Sequence, residues 1–401
     1  MPIKNILYMS GSLGLGHITR DLAIARELRK QNPEMELSWL AASPADQLIR
    51  EAGEHLLPEA ADLSDENAVA EQSARGASLS LIRYVGRARR QWAQNVKVLI
   101  RVVRERQIDL IIGDETYEIL RAFREQPQLK TCSFVMIYDF IGLDSVSWNP
   151  LEKLGVYLMN RAWSSGFEHL PDYVDLSLVI GEIEDVPDRP FGFLLANRRE
   201  WARRRCQFVG NAFPFDPANY SDRSALRRRL GYSEEPLVVC SIGGTAIGRQ
   251  LLELCGQAYP ILKEGIPDLR MILVGGPRLS VASLNVPSGV EIRGYVPALY
   301  EHFAASDLSI VQGGATTTLE LTALRRPFLF FPIEGHCEQE IQVAARLARH
   351  QAGVNMVLSQ TKPRDLARAV IVNIGREVAY RQIAADGARR AAKLISELIG
   401  N

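Results

Sequence analysis

Short β-branched apolar runs, each followed by a longer stretch with helical spacing, recur twice along this 401-residue chain. That alternation demands parallel strands with helices on both faces. In the first half the expected strands are Ile3–Met9, Glu36–Ala41, His55–Leu57, Ile108–Gly113, Thr131–Tyr138 and Val174–Ile180, with helices at 17–31, 44–53, 78–106, 117–126 and 150–165. Pro187–Pro190, the arginine-rich 198–205 and Pro214–Pro217 interrupt the rhythm. It resumes with Leu237–Ile242, Arg270–Val274, Val290–Arg293, Leu308–Val311 and Pro327–Phe331. The expected architecture is α/β, with two doubly wound domains over 1–210 and 211–375. A carboxyl-terminal helix within 376–401 would then lie on a domain surface or cross back toward the first domain.

Composition narrows the function classes. Lys plus Arg and Asp plus Glu both number 47, so no global field argues for nucleic acid. Leu329–Ile333 and Leu110–Ile112 are far too short to span a bilayer, and the start of the sequence lacks the pattern of a signal peptide. Five scattered cysteines without CxxC spacing suggest reduced thiols in a cytoplasmic protein. Six histidines without HxH or HExxH spacing give no metal signature.

In a doubly wound sheet of order 3-2-1-4-5, ligands bind where the ends of strands 1 and 4 lie side by side. In the first half, strand 1 ends in "GSLGLGHITR", with Gly11, Gly14, Gly16 and then His17, while strand 4 ends at Asp114. Either residue alone suits a helix cap. Together they form the arrangement of a general base, because a carboxylate fixes the imidazole tautomer and stabilises the imidazolium. The positive end of a helix and Asp114 would pull the ring's pKa in opposite directions, leaving it near neutrality. The glycine order GxxGxG, and a strand 2 that ends in "LAASP" without an acidic residue for a ribose, argue against a dinucleotide.

In the second half, strand 1 runs into "SIGGTAIG" and strand 4 into "VQGGATTTLELTALRRP". The pairs Gly243–Gly244 and Gly313–Gly314 therefore meet at one switch point, each opening a helix. Backbone N–H groups there suit a diphosphate. Thr245, Thr316 and Thr317 add hydroxyls, and Glu320 suits a vicinal diol such as that of ribose.

These segments resemble the GT-B glycosyltransferases that use nucleotide sugars, both MurG-like and plant- or macrolide-type. The resemblance implies two Rossmann-like domains facing across a cleft. The glycine loop with Gly14 and Gly16 corresponds to the acceptor side, with His17 as catalytic base assisted by Asp114. "QGGATTTLELTALRRPFLFFPIEGHCEQEIQVAARLARHQAGV" (312–354) is similar to the donor signature. It matches Glu320 to the ribose-binding glutamate and Glu338 with Gln339 to the pair that holds sugar hydroxyls. "RGYVPALYEHFAASD" (293–307), including Tyr295 and Val296, matches the segment whose backbone holds the base. Two departures concern the donor: Gln312 replaces a phosphate-binding His or Arg, and Glu338 replaces the commoner Asp.

The leading expectation is an inverting, metal-independent hexosyltransferase with a nucleoside-diphosphate sugar, UDP in the first instance, and no resident cofactor. The acceptor would be a small molecule or a lipid-linked hydroxyl. A nucleotide-sugar hydrolase, a 2-epimerase and a non-catalytic sugar-nucleotide-binding subunit are the alternatives on the same fold. His336 and Glu334 could reach the sugar or belong to a solvated loop. The arginines of 83–106 form a solvated face, or else bring the amino-terminal domain to the inner face of a membrane. "RREWARRRC" (198–206) reads as linker surface.

Overall fold

The computed structural model describes residues 5–11, 14–75, 78–79, 81–165 and 173–400. Ile3 of the expected first strand, and Ser12 and Leu13 of the glycine loop, lie outside them. Two compact units emerge. The first comprises Met1–Ala70, Leu81–Pro214 and Ala384–Asn401; the second comprises Glu71–Ser80 and Phe215–Ile383.

The first unit is built on β1 (Asn5–Met9), β2 (Glu36–Leu40) and β3 (His55–Leu56). In chain order, a short hairpin of β4 (Ala74–Arg75) and β5 (Ser78–Leu79) comes next. The first sheet continues with β6 (Leu110–Asp114), β7 (Ser133–Tyr138), β8 (Leu176–Ile180) and β9 (Gln207–Gly210). Its order is β3-β2-β1-β6-β7-β8-β9, all parallel. Both faces of β1 are apolar, so helices must cover both sides. Ile6 and Tyr8 join Trp39, Ile24 and Leu28, while Leu7 and Met9 join Leu99, Val102 and Phe134.

The second unit carries β10 (Leu237–Ser241), β11 (Arg270–Val274), β12 (Glu291–Arg293), β13 (Leu308–Gln312), β14 (Phe328–Phe331) and β15 (Val354–Asn355). Their order is β12-β11-β10-β13-β14-β15. The reversal of strand order falls between β1 and β6 in one unit and between β10 and β13 in the other. Met9 thereby pairs with Gly113, and Ser241 with Val311.

Several expectations need correction. The helix expected at 78–106 starts only at Leu81: helices Glu66–Ser73 and Leu81–Arg106 flank the β4–β5 hairpin. The first of them is capped by the Asp65 carboxylate, which accepts from Ala68 N at 2.9 Å. The segment 198–206 is not linker surface. Asn197 caps a helix Arg198–Arg205, Trp201 and Ala202 are buried, and buried Arg198 forms a bidentate pair with Asp144 at 3.0 and 2.9 Å. The first unit extends past 210, where Asn211 N donates to Ala384 O. The final helix, Gly387–Gly400, buries Ala391, Ala392 and Ile395 in the same core as helix Gly16–Gln31. Replacing Ile395 by Ala should cost about 2–5 kcal/mol in urea unfolding, the usual price of a core cavity. A loss below about 0.5 kcal/mol would mean that this helix does not complete the core.

Candidate active site

Close packing at the end of β1 starts with glycine. A Cβ on Gly11 would stand 3.0 Å from Asp114 O and 3.2 Å from the His17 ring, so only glycine leaves room for the two to converge. Gly14 takes φ +78°, and Gly16 opens the helix Gly16–Gln31. The Gly14 N–H donates to the Asn67 side chain at 2.8 Å, and Asn67 in turn donates to Ser43 O. The loop is thus held by the buried amide of Asn67.

His17 and Asp114 do meet: Nδ1 lies 3.3 Å from Oδ2, with Asp114 fully buried. Two residues that the sequence reading did not single out complete the cluster. Arg20, one helical turn after His17, donates through Nε to Asp114 Oδ2 (2.8 Å) and through Nη2 to Oδ1 (2.6 Å). Its other nitrogen, Nη1, pairs with Asp139, just past the end of β7. The signals were present but weak: Arg20 follows His17 at i+3, and Asp139 ends the strand next to the one ending in Asp114. Beneath them lies Asp21, accepting from Tyr8 Oη (2.9 Å) and Ser10 Oγ (2.6 Å).

Electrostatics in this cluster corrects the expectation of a near-neutral histidine. Burial lowers the His17 pKa and Arg20 lowers it further, but Asp114 and Asp139 outweigh both, holding it up to about 10. Burial, reinforced by Asp139, pushes Glu115 up to about 8. Burial opposes ionisation of Asp114, yet Arg20 and His17 hold its carboxyl far below the usual carboxylate range. The charges balance when two cations, Arg20 and the imidazolium, face two anions, Asp114 and Asp139. Removing the ring proton leaves a buried net negative charge. Arg20 Nη2 also lies 2.8 Å from Nδ1. His17, Glu115 and Asp139 also offer ligand atoms within 4.8 Å of one another, the geometry of a possible cation site. Arg20 already supplies a positive charge to two of the carboxylates around that point.

The second unit brings together the other candidates. Gly243 takes φ +75°, and a Cβ on Gly276 would collide with Gly243 O, which packs the β11 loop against the Gly243–Gly244 turn. A Cβ on Gly313 would fall 2.8 Å from Pro332 Cα, while Gly314 precedes helix Ala315–Ala323. Gln312 reaches toward Gly248: its Nε2 lies 3.1 Å from where a Cβ there would sit. Thr245 stands before the turn Ala246–Gly248, and Thr316 and Thr317 lie in the first turn of the Ala315 helix. Glu320, on that helix, is buried, and burial pushes its carboxyl up to about 8. Tyr295 and Val296 follow β12, partly buried. Glu338 Oε2 sits 3.7 Å from His336 Nδ1. Gln339 turns inward, its Oε1 accepting from Ile333 N at 2.9 Å, so that face of its amide shapes the loop before the helix. Glu334 accepts from Ser359 N at 2.9 Å.

Comparison with known proteins bears on the fold. Residues 238–396 match the model of the glycosyltransferase family 28 C-terminal domain. An uncharacterized glycosyltransferase of Methanosarcina acetivorans is 23% identical over 411 aligned positions, covering 99% of this chain and 96% of that one. A UDP-N-acetylglucosamine--N-acetylmuramyl-(pentapeptide) pyrophosphoryl-undecaprenol N-acetylglucosamine transferase of Moorella thermoacetica is 24% identical over 88% of this chain and 86% of its own. The crystal structure of Acinetobacter baumannii MurG shares the fold, with TM-score 0.52 and 15% identity over 99% of both chains. With its two doubly wound units the chain shares the GT-B fold of that structure, and its second unit is similar to the family 28 C-terminal domain.

Proposed function

We propose that this chain transfers a sugar from a nucleoside diphosphate, UDP in the first instance, to an acceptor hydroxyl with inversion at the anomeric carbon. The observation that carries the reading is the His17–Asp114 contact at the switch point of the first unit, since a binding protein has no use for an oriented base. The acceptor oxygen attacks the anomeric carbon, the bond from that carbon to the β-phosphate oxygen breaks, and the acceptor proton passes to His17 Nε2. Asp114, accepting at Nδ1–H, selects the tautomer that leaves Nε2 free to take it. The amides around Gly243–Gly244 and Gly313–Gly314, with Thr245, Thr316 and Thr317, take the charge of the departing diphosphate, and Glu320 holds the ribose diol. Tyr295 and Val296 hold the base, Glu338 and Gln339 the sugar, and no metal is required. The Moorella relative's donor makes UDP-N-acetylglucosamine the first sugar nucleotide to try.

An apolar surface on the first unit supports a lipid-linked acceptor. Leu151, Leu154 and Leu158 fall on one face of helix Pro150–Ser165 and are exposed, beside Trp148, which is 92% exposed. Phe193 and Leu194, also exposed, sit in a turn whose Phe193 carbonyl accepts from Tyr157 of that helix. Single exposed leucines are ordinary, but this clustering marks a membrane-facing surface. The arginines of 83–106 are the weaker candidate, because Arg101 pairs with Asp62 and Arg106 with Glu59. Among the described residues no helix is long and apolar enough to cross a membrane, so any contact through this surface is peripheral.

Incubation with a panel of nucleotide sugars in EDTA, with and without lipid-linked acceptors, tests the reaction. Sugar transfer in EDTA is expected; full-rate nucleotide release without acceptor would make the chain a hydrolase, and loss of transfer restored by magnesium would refute metal independence. Vesicles of anionic lipid should co-sediment the protein, and Trp148→Ser with Leu154→Ser should lower the bound fraction severalfold. Equal sedimentation of the double variant would clear this surface of a membrane role.

A further inference from the structure

Gln312 stands where the resemblance expects a phosphate-binding His or Arg, so that position carries no positive charge. The structure brings one from elsewhere. Arg278 lies four residues past the end of β11, on the loop that Gly276 packs against Gly243 O. It stands beside the Gly243–Gly244 turn, at the same edge of the sheet.

Arg278 is held there by a carboxylate. Its Nε donates to Glu71 Oε1 at 2.9 Å and its Nη2 to Oε2 at 3.0 Å, a bidentate fork. The backbone N–H of Ala246, in the glycine-rich segment itself, donates to the same Oε1 at 3.0 Å. A guanidinium fork plus a backbone amide on one oxyanion is the donor set that a phosphate oxygen takes. Glu71 belongs to the last turn of helix Glu66–Ser73, where the helix dipole disfavours a negative charge. Its placement is therefore owed to its partners rather than to its own helix. Both side chains remain partly open, 17% exposed for Arg278 and 23% for Glu71.

We propose that Arg278 is the phosphate-binding cation of the donor site, and that Glu71 occupies its fork as an internal anion which the donor diphosphate displaces. The inference rests on the nucleotide-sugar reading of the second unit, and it adds a specificity: a diphosphate exchanges for the carboxylate, whereas an uncharged nucleoside gains nothing from Arg278. Binding then carries the cost of releasing Glu71, so neutralising that side chain strengthens binding and removing the arginine weakens it.

Calorimetric titration of the wild-type chain, Glu71→Gln and Arg278→Gln with UDP and with uridine tests this directly, with thermal melting of each variant as the check on folding. Uridine should bind all three alike. UDP should bind Glu71→Gln about tenfold more tightly and Arg278→Gln at least about tenfold more weakly than wild type. Should either variant melt early, Glu71→Ala and Arg278→Lys repeat the comparison with the same expected directions. Equal UDP affinity in all variants, with UDP and uridine still bound, overturns the proposal and leaves the donor reading standing. No binding of either ligand to the wild-type chain overturns the donor reading and this inference with it.

Discussion

Strand order dictates where chemistry can occur in this chain. At β1 and β6, and again at β10 and β13, neighbouring parallel strands send their chains away in opposite directions. The crevice between their carboxyl ends therefore receives only the loops that leave those strands. His17 and Asp114 in the first unit, and the pairs Gly243–Gly244 and Gly313–Gly314 in the second, hang from these two places. A Cβ on Gly11 would crowd both Asp114 O and the His17 ring at the first; at the second, Gly276 lets backbone approach Gly243 and Gly313 lets it approach Pro332.

The two switch points differ in how they treat charge. In the first unit, Arg20, Asp114, Asp139 and His17 are packed so that opposite charges cancel, because unpaired charge at that depth costs several kcal/mol. Cancellation raises the histidine and lowers Asp114, so the ring gives up its proton only as the pH approaches about 10. A ring with that affinity would be a strong base but a scarce one near neutrality. In the second unit, Arg278, beside the glycine turn, is matched by Glu71.

Much of this was legible in the sequence for physical reasons. Parallel strands buried on both faces leave continuous apolar runs, and a close backbone approach admits only glycine, so strand order and both switch points could be read directly. The His17–Asp114 pairing followed from topology alone, 97 residues apart. What stayed hidden depends on side chains meeting across the fold. Arg20 looked like any basic residue on an amphipathic helix, and Asp139 like a strand-end cap. The pKa of His17 could not be judged until a second carboxylate and the guanidinium were seen around it. The short strands β9 and β15 carry too few residues to show a period, and Arg198 looked solvated because its partner, Asp144, lies 54 residues earlier. Arg278 and Glu71, separated by 207 residues, offered no pattern at all.

The most direct test of the account is the turnover of His17→Ala followed from pH 6 to pH 10 beside its affinity for UDP. In the wild-type enzyme kcat/KM should rise with pH as the ring loses its proton, because the raised pKa keeps it charged below about 10. In the variant that rise should disappear and kcat should fall by about 10²–10⁴-fold, the usual worth of a positioned base, with the Kd for UDP unchanged. Wild-type turnover in His17→Ala, or a loss of UDP binding in place of turnover, would contradict the assignment of His17 as the base that faces the acceptor.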